Sequence, residues 1–240
     1  MKSVILILLF TTITSRFCAA QYMQVVNGNG VYSGVRTNDI QLLSQAEVAM
    51  GKNNDVNGNP FWNEDWKMAL LFTGEHAILV PNVKLNLYSQ DVWYKVKDSI
   101  MMIAKKGQVK GITFFNGNDT TSVLANFVYL SNGEGNKFSY YQFLNSGKAQ
   151  LVKLSTVSIN KSLFDPFSGK AEQNYTLQTA NYLYYNSTLT PLKGSNKETI
   201  SAVLQQGNSL KEWMDKNKNR LKSESDILLF LDYFNKQNNQ

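Results

Sequence analysis

Val83-Lys84-Leu85-Asn86-Leu87 is the clearest alternation of apolar and polar residues in the chain. Successive side chains of a β-strand point to opposite faces, so Val83, Leu85 and Leu87 share one face and the polar pair shares the other. The pattern therefore predicts a strand that is buried on one face only.

Runs of related character extend on both sides of this strand, from Phe61 to about Leu192. They are rich in β-branched and aromatic residues, which strands favour. The additional predicted strands are 67–72, 76–80, 92–97, 100–104, 109–115, 122–130, 138–144, 151–159 and 175–185. Their connectors are short and contain Gly, Asn or Ser, as hairpin loops require. The sequence thus predicts an antiparallel β-meander, curled or closed into a half-barrel.

Beyond Leu192 the pattern changes to helical spacing. Three serines each stand three residues before a carboxylate and introduce an apolar set at helical period, which predicts three capped helices. The serines are Ser195, Ser209 and Ser223. Gly207 is the predicted end of the first helix. Helices this short need a partner to be stable. Residues 61–240 are therefore predicted to form one β-rich α+β domain, whose helices (195–240) cover the sheet.

The first 20 residues have the features of a secretory signal peptide. Lys2 supplies the positive charge, residues 4–10 are apolar, and Cys18-Ala19-Ala20 places small residues before Gln21. Lipidation at Cys18 is the alternative, but Arg16 and Phe17 stand where that signal needs small residues. We expect cleavage after Ala20 and a periplasmic or extracellular protein without a transmembrane segment.

The composition excludes several classes of protein. Removing residues 1–20 takes away Lys2, Arg16 and the single cysteine, so the basic residues fall from 24 to 22 against 18 acidic ones. The mature chain is therefore free of disulfides. Its lysines are dispersed, which argues against a nucleic-acid partner. Residues 21–60 are rich in Asn and Gly and are predicted to be a loosely structured polar lead-in, with at most one short helix at 40–50.

Two parts of the chain resemble exported Bacteroidota proteins of unknown function. The first is Gly58-Asn59-Pro60-Phe61-Trp62-Asn63-Glu64-Asp65-Trp66 with the hairpin into Pro81-Asn82-Val83-Lys84-Leu85-Asn86-Leu87-Tyr88. The second is the segment from Leu210-Lys211-Glu212-Trp213-Met214 to Leu231-Asp232-Tyr233-Phe234-Asn235. The resemblance implies a signal peptide, antiparallel strands and short C-terminal helices in that order. It implies no activity.

No residue pattern predicts catalysis or a metal. His76 is the only histidine, and without cysteine the usual zinc sites cannot form. Glu64 and Asp65 lie near aromatic residues, as glycosidase carboxylates do, but turns also recruit acidic residues. We therefore predict no catalytic residue, metal or cofactor, and keep a secreted glycan hydrolase using Glu64 or Asp65 as an alternative.

Tryptophans are the remaining candidates for ligand binding. Trp62, Trp66 and Trp93 could stack on a ligand, whereas the competing explanation is that they fill the core. The predicted function is an exported, non-catalytic interaction or structural module of the cell envelope or exterior, whose partner could be a glycan or another envelope protein. A small apolar-ligand carrier is a further alternative, if the sheet closes into a barrel with a cavity.

Overall fold

The structure is a computed structural model that describes residues 56–74, 76–96, 100–133, 137–161, 172–193, 196–218 and 220–238. The predicted signal peptide, the predicted helix at 40–50 and the cap at Ser195 lie outside the described residues. No helix within these ranges is long and apolar enough to cross a membrane.

Eleven strands precede three helices in the described chain. The strands are β1 Val56–Asn57, β2 Lys67–Phe72, β3 Ala77–Asn86, β4 Asp91–Val96, β5 Ile100–Ile103, β6 Gly111–Asn116, β7 Asp119–Ser131, β8 Phe138–Phe143, β9 Ala149–Lys161, β10 Gln173–Tyr185 and β11 Thr188–Pro191. The helices are α1 Asn196–Leu204, α2 Gly207–Asn217 and α3 Glu224–Asn238. The predicted β-rich α+β class is confirmed.

All the strands belong to one open, mixed sheet. Its order is β1-β10-β9-β8-β7-β6-β2-β3-β4-β5, and β11 also pairs with β10. Strands β2 to β5 pair in chain order, as do β6 to β11, and the two sets meet where β2 pairs with β6. The sheet is mixed because the short β1 runs parallel to β10.

The alternation around Val83 is confirmed with one correction. Val83, Leu85 and Leu87 are buried on what we call the inner face. Asn86, predicted to lie on the solvent side, is also buried, because its Oδ1 accepts hydrogen bonds from the backbone N–H groups of Tyr88 and Ser89. The side chain therefore builds the turn that follows the strand.

Strand β3 joins two runs that the sequence predicts as separate strands, 76–80 and 83–87. Pro81 lies between them, where the β2–β3 pairing shifts register opposite Met68. Proline cannot donate a ladder hydrogen bond, so an irregularity of this kind is where a strand tolerates it.

Gln90 connects the turn between β3 and β4 to strands β8 and β9. This buried side chain donates from Nε2 to Leu87 O (2.9 Å) and Ser155 O (3.3 Å), and its Oε1 accepts from Tyr140 N (2.9 Å). In addition, Val157 N donates to Leu87 O at 3.2 Å. The β3–β4 turn therefore lies against β8 and β9, and the inner face packs on itself around Phe114 and Phe127.

The helices cover the inner face at the start of β9 and the end of β10. Ala149, Leu151 and Leu183 pack against apolar side chains of all three helices, chiefly Ile200, Leu204, Leu210, Ile227, Phe230, Leu231 and Phe234. Burial of this shared apolar surface is what stabilises helices of 9 to 15 residues.

One predicted cap is confirmed and another is wrong. Ser223 Oγ accepts from Asp226 N (3.1 Å) while Asp226 Oδ2 accepts from Ser223 N (3.3 Å), a reciprocal cap for α3. In contrast, α2 begins at Gly207, two residues before Ser209. Leu210 N donates to Gln206 O within this first turn, and the Leu210 side chain is buried. Gly207 therefore starts α2 and does not end α1.

Candidate functional site

The three tryptophans predicted to bind ligand do not converge. Trp62 lies on the inner face, where its ring centroid is 5.0 Å from that of Phe114 and 5.1 Å from that of Phe127. Trp66 and Trp93 pack together on the opposite, outer face. The sequence places Trp62 and Trp66 only four residues apart, but the chain between them crosses from one face to the other.

Trp93 and Trp66 differ in their access to solvent. Trp93 is only 4% exposed and packs edge-to-face on Phe61, at a centroid distance of 5.1 Å. Trp66 is partly exposed, and the ammonium groups of Lys84 and Lys95 lie 5.2 and 4.6 Å from its ring centre. Trp93 is therefore part of the apolar packing on the outer face. The ring face of Trp66 is already in contact with two cations.

Trp62 borders a cleft of about 320 Å³ on the inner face, which we call the inner cleft. One wall is the segment from Asn59 to Trp62; the floor is formed by strands β8, β9 and β10. The lining residues are Asn59, Phe61, Trp62, Leu87, Gln142, Lys153, Ser155, Val157, Leu177 and Thr179. An aromatic wall thus faces a floor that mixes apolar groups with neutral hydrogen-bonding groups.

Backbone hydrogen bonds fix the aromatic wall in place. Trp62 N donates to Leu85 O (2.9 Å), and Leu87 N donates to Pro60 O (2.8 Å). Asn59 Oδ1 accepts from Phe61 N at 3.0 Å, which forms the turn before the wall. The backbone at Trp62 is therefore held against β3, and its indole packs on Phe114 and Phe127, before any ligand arrives. This preorganisation reduces the entropy cost of binding.

The charge in the inner cleft is balanced. Lys153 is the only charged residue of the lining, and its Nζ is 2.6 Å from Glu224 Oε2 of α3. This pair also ties the third helix to the floor of the cleft. A ligand consequently meets mostly neutral donors and acceptors there.

The acidic residues of the hydrolase alternative lie elsewhere. Glu64 and Asp65 are exposed in the bend before β2 and do not line the inner cleft, and Asp65 is 3.9 Å from Lys67. His76 is exposed as well. Among the described residues, no three His, Cys, Asp or Glu side chains are grouped closely enough to hold a metal ion.

A second, smaller cavity lies on the outer face, and sequence reasoning missed it. We call it the outer cavity; its volume is about 110 Å³, and its lining includes Phe72, Val128 and Phe143. Thr113 Oγ1 donates to Asn126 Oδ1 at 2.8 Å across the same lining. The available signal was this pair of polar residues, each flanked by apolar residues, at facing positions of β6 and β7.

Among the residues that the structure describes, Tyr140 has the largest pKa shift. Burial raises the pKa of its phenol far above its usual range, and the hydroxyl donates to Val109 O at 2.8 Å. The phenol therefore stays neutral and donates a hydrogen bond within the core of the inner face. It does not line either concavity.

Comparison of the chain with protein-family models, with curated proteins and with solved structures finds no match.

Proposed function

We propose that this protein is an exported, non-catalytic binding module whose ligand occupies the inner cleft. The observation that carries the proposal is the combination in one concavity of a fixed aromatic side chain, Trp62, and hydrogen-bonding groups on three neighbouring strands. Ligand sites are commonly concave, largely apolar and supplied with a few placed polar groups, and volumes from about 300 Å³ are typical.

The neutral lining favours an uncharged, hydrogen-bonding ligand, either a glycan or a segment of another envelope protein. Gln142, Ser155 and Thr179 can exchange hydrogen bonds with hydroxyl or amide groups, and an indole such as Trp62 can stack on a sugar ring. A hydrolase would need Glu64 or Asp65 to reach that ligand, and both lie outside the cleft. The binding module is therefore the better-supported proposal.

Export is part of the same proposal, together with membership of the exported Bacteroidota group that the chain resembles. The test is the intact mass of the protein recovered from a secreting host. We expect a chain that begins at Gln21. A diacylated species that begins at Cys18 would contradict simple cleavage.

A glycan array tests the binding function. We expect any bound glycan to lose at least about tenfold in affinity to Trp62→Ala, because the stacking surface is removed. Trp62→Phe, which keeps an aromatic ring, is the control for folding of the core. Glu64→Gln combined with Asp65→Asn should bind normally. If the wild type hydrolyses the bound glycan and the double variant does not, the hydrolase becomes the leading alternative.

The outer cavity supports a second candidate, a carrier of small apolar molecules. Its lining is mostly apolar, and apolar cavities of about this size can admit a small aromatic ring. Indole should raise the melting temperature of the wild type, and Val128→Phe, which fills the cavity, should abolish that shift. Val123→Phe, at an exposed position on the same strand, is the matched control. An equal shift in both variants would contradict the carrier.

A further inference from the structure

Strand β10 has an open stretch of edge beside the inner cleft. One edge of β10 pairs with β9 along its whole length, from Gln173 to Tyr185. The other edge pairs with β1 only at Gln173 and Asn174, and with β11 only from Tyr182 to Tyr185. Beyond these pairs, Leu192 N bonds to Asn181 O and Gly58 lies beside Tyr175, so the stretch left open in the described chain, which we call the gap, runs from Thr176 to Ala180. The gap is about 16 Å long at the usual rise of a strand.

The hydrogen bonds of β10 show which backbone groups face this gap. Leu192 N donates to Asn181 O at 2.9 Å, so the peptide groups of Asn181 point to the β11 side. Backbone direction alternates along a strand, and the N–H and C=O groups of Leu177 and Thr179 therefore point the same way. Among the described residues none of these four groups has a protein partner. Unpaired groups of this kind on a sheet edge are a template for an additional strand.

Side chains at the gap are also uncovered. Leu177 is 59% exposed, the second most exposed of the large apolar side chains in the described chain, and Thr179 is exposed beside it. Both side chains line the inner cleft. The open backbone and the open apolar surface therefore coincide, at the rim of the concavity that already contains Trp62.

We propose that an extended segment of a partner polypeptide adds a strand to β10 between Tyr175 and Asn181. Its backbone bonds to Leu177 and Thr179, and every second side chain enters the inner cleft toward Trp62. The inference rests on the proposed function, because it identifies the ligand of that cleft as a polypeptide. Backbone hydrogen bonds supply the affinity, and the cleft selects the side chains.

A second copy of this chain cannot pair through its own β10. That strand has 13 residues. Laid beside the first β10, it would run into β1 at one end and β11 at the other, since both occupy the same row of the sheet. The occupant is therefore a short segment of a partner polypeptide, of which about five residues lie within the gap.

A library of random heptapeptides displayed on phage provides the probe. Panning against the mature protein should select peptides, which are then synthesised and titrated by calorimetry. Thr179→Pro removes one N–H from the open edge and none from the β9 ladder, so the edge strand should tolerate it. We expect this variant to weaken the selected peptides at least about tenfold, since a backbone hydrogen bond is lost and the ring obstructs the gap. Thr179→Ala keeps the N–H and should bind within about threefold of wild type.

Amide hydrogen exchange on the wild-type protein gives a measurement that does not depend on the proline variant. The Leu177 and Thr179 amides should exchange quickly in the free protein and become protected by a selected peptide. Unchanged exchange at both amides, or a library that yields no binder, would overturn strand addition. If Trp62→Ala no longer binds the selected peptides but Thr179→Pro still does, strand addition is also overturned. The binding function of the cleft would then remain intact. Dependence on Thr179→Pro without dependence on Trp62 would support strand addition and contradict the role of the cleft.

Discussion

Asn235 of α3 should be a principal anchor of the helical layer, and Asn235→Ala tests this. Its Oδ1 accepts from Ala149 N (2.8 Å), and its Nδ2 donates to Ala149 O (2.8 Å) and Ser146 O (3.0 Å). Ala149 is completely buried at the start of β9, where the sheet meets the helix. Truncation therefore leaves the buried N–H of Ala149 without this partner, whereas the C=O of Ala149 keeps a donor, Asn145 Nδ2, at 3.2 Å.

The expected loss is about 3 kcal/mol in the free energy of unfolding. Each of the three hydrogen bonds contributes about 1 kcal/mol net, and unpaired buried groups retain their desolvation penalty. For a chain of this size that loss lowers the melting temperature by about 6–12 °C. Alanine favours helix more than asparagine does, so helix propensity offsets a few tenths of a kcal/mol.

Urea denaturation followed by circular dichroism measures the effect, with Asn238→Ala as the control on the same helix. Asn238 is exposed, and its Nδ2 donates only to Phe234 O within its own helix. We expect a change below about 0.5 kcal/mol there. If the two variants differ by less than about 0.5 kcal/mol, the bonds of Asn235 to the β9 hairpin do not anchor the helix.

Asn235→Asp supplies a check through pH. An ionised carboxylate cannot donate to Ala149 O and is penalised by burial, so the pKa of the introduced group should be raised in the native state. The native state then binds more protons than the unfolded one, and this variant should gain stability as the pH falls toward about 4 and lose it as the pH rises. A stability difference from wild type that does not depend on pH would refute this environment.

Three further predictions address other parts of the fold. Ser223→Ala should cost about 1 kcal/mol in urea unfolding through the lost cap of α3, whereas a neutral result would mean that the cap does not hold in solution. Tyr140 keeps its proton in the folded state, so stability should fall as the pH rises above 10.0, where the unfolded phenol ionises; Tyr140→Phe should flatten that fall in alkaline unfolding curves. Deleting residues 195–240 should expose Leu151 and Leu183 and cause dye binding or aggregation, while a stable monomer would show that the sheet does not need its helices.

Local features of the fold were predictable from the sequence. The positions of β2 to β10 agree with prediction within a few residues, because strand alternation and hairpin connectors are properties of neighbouring residues. Strands β1, which lies in the predicted lead-in, and β11 were not predicted. The cap at Ser223 belongs to the same class, since its partner is three residues away. The cap predicted at Ser209 failed because tertiary burial of Leu210 moved the helix start.

The candidate site could be predicted only in part. Trp62 borders a concavity, and its role in ligand binding stays a prediction. The set of three tryptophans divides between two faces, and the outer cavity was missed. Which face a residue near a bend occupies depends on the path of the chain. Sequence pattern does not contain that path.

The sequence by itself determined the order of strands and helices, the β-rich class, and the prediction of export carried by residues 1–20. Only the tertiary structure decided that β2 lies beside β6, that β1 and β11 leave a gap on the edge of β10, and that Gln90 and Asn235 are buried. The physical reason is distance along the chain: Gln90 bonds to a residue 50 positions away and Asn235 to one 86 positions away. Such pairings become favourable only after burial has removed competing water, so they follow from the folded whole and not from any local pattern.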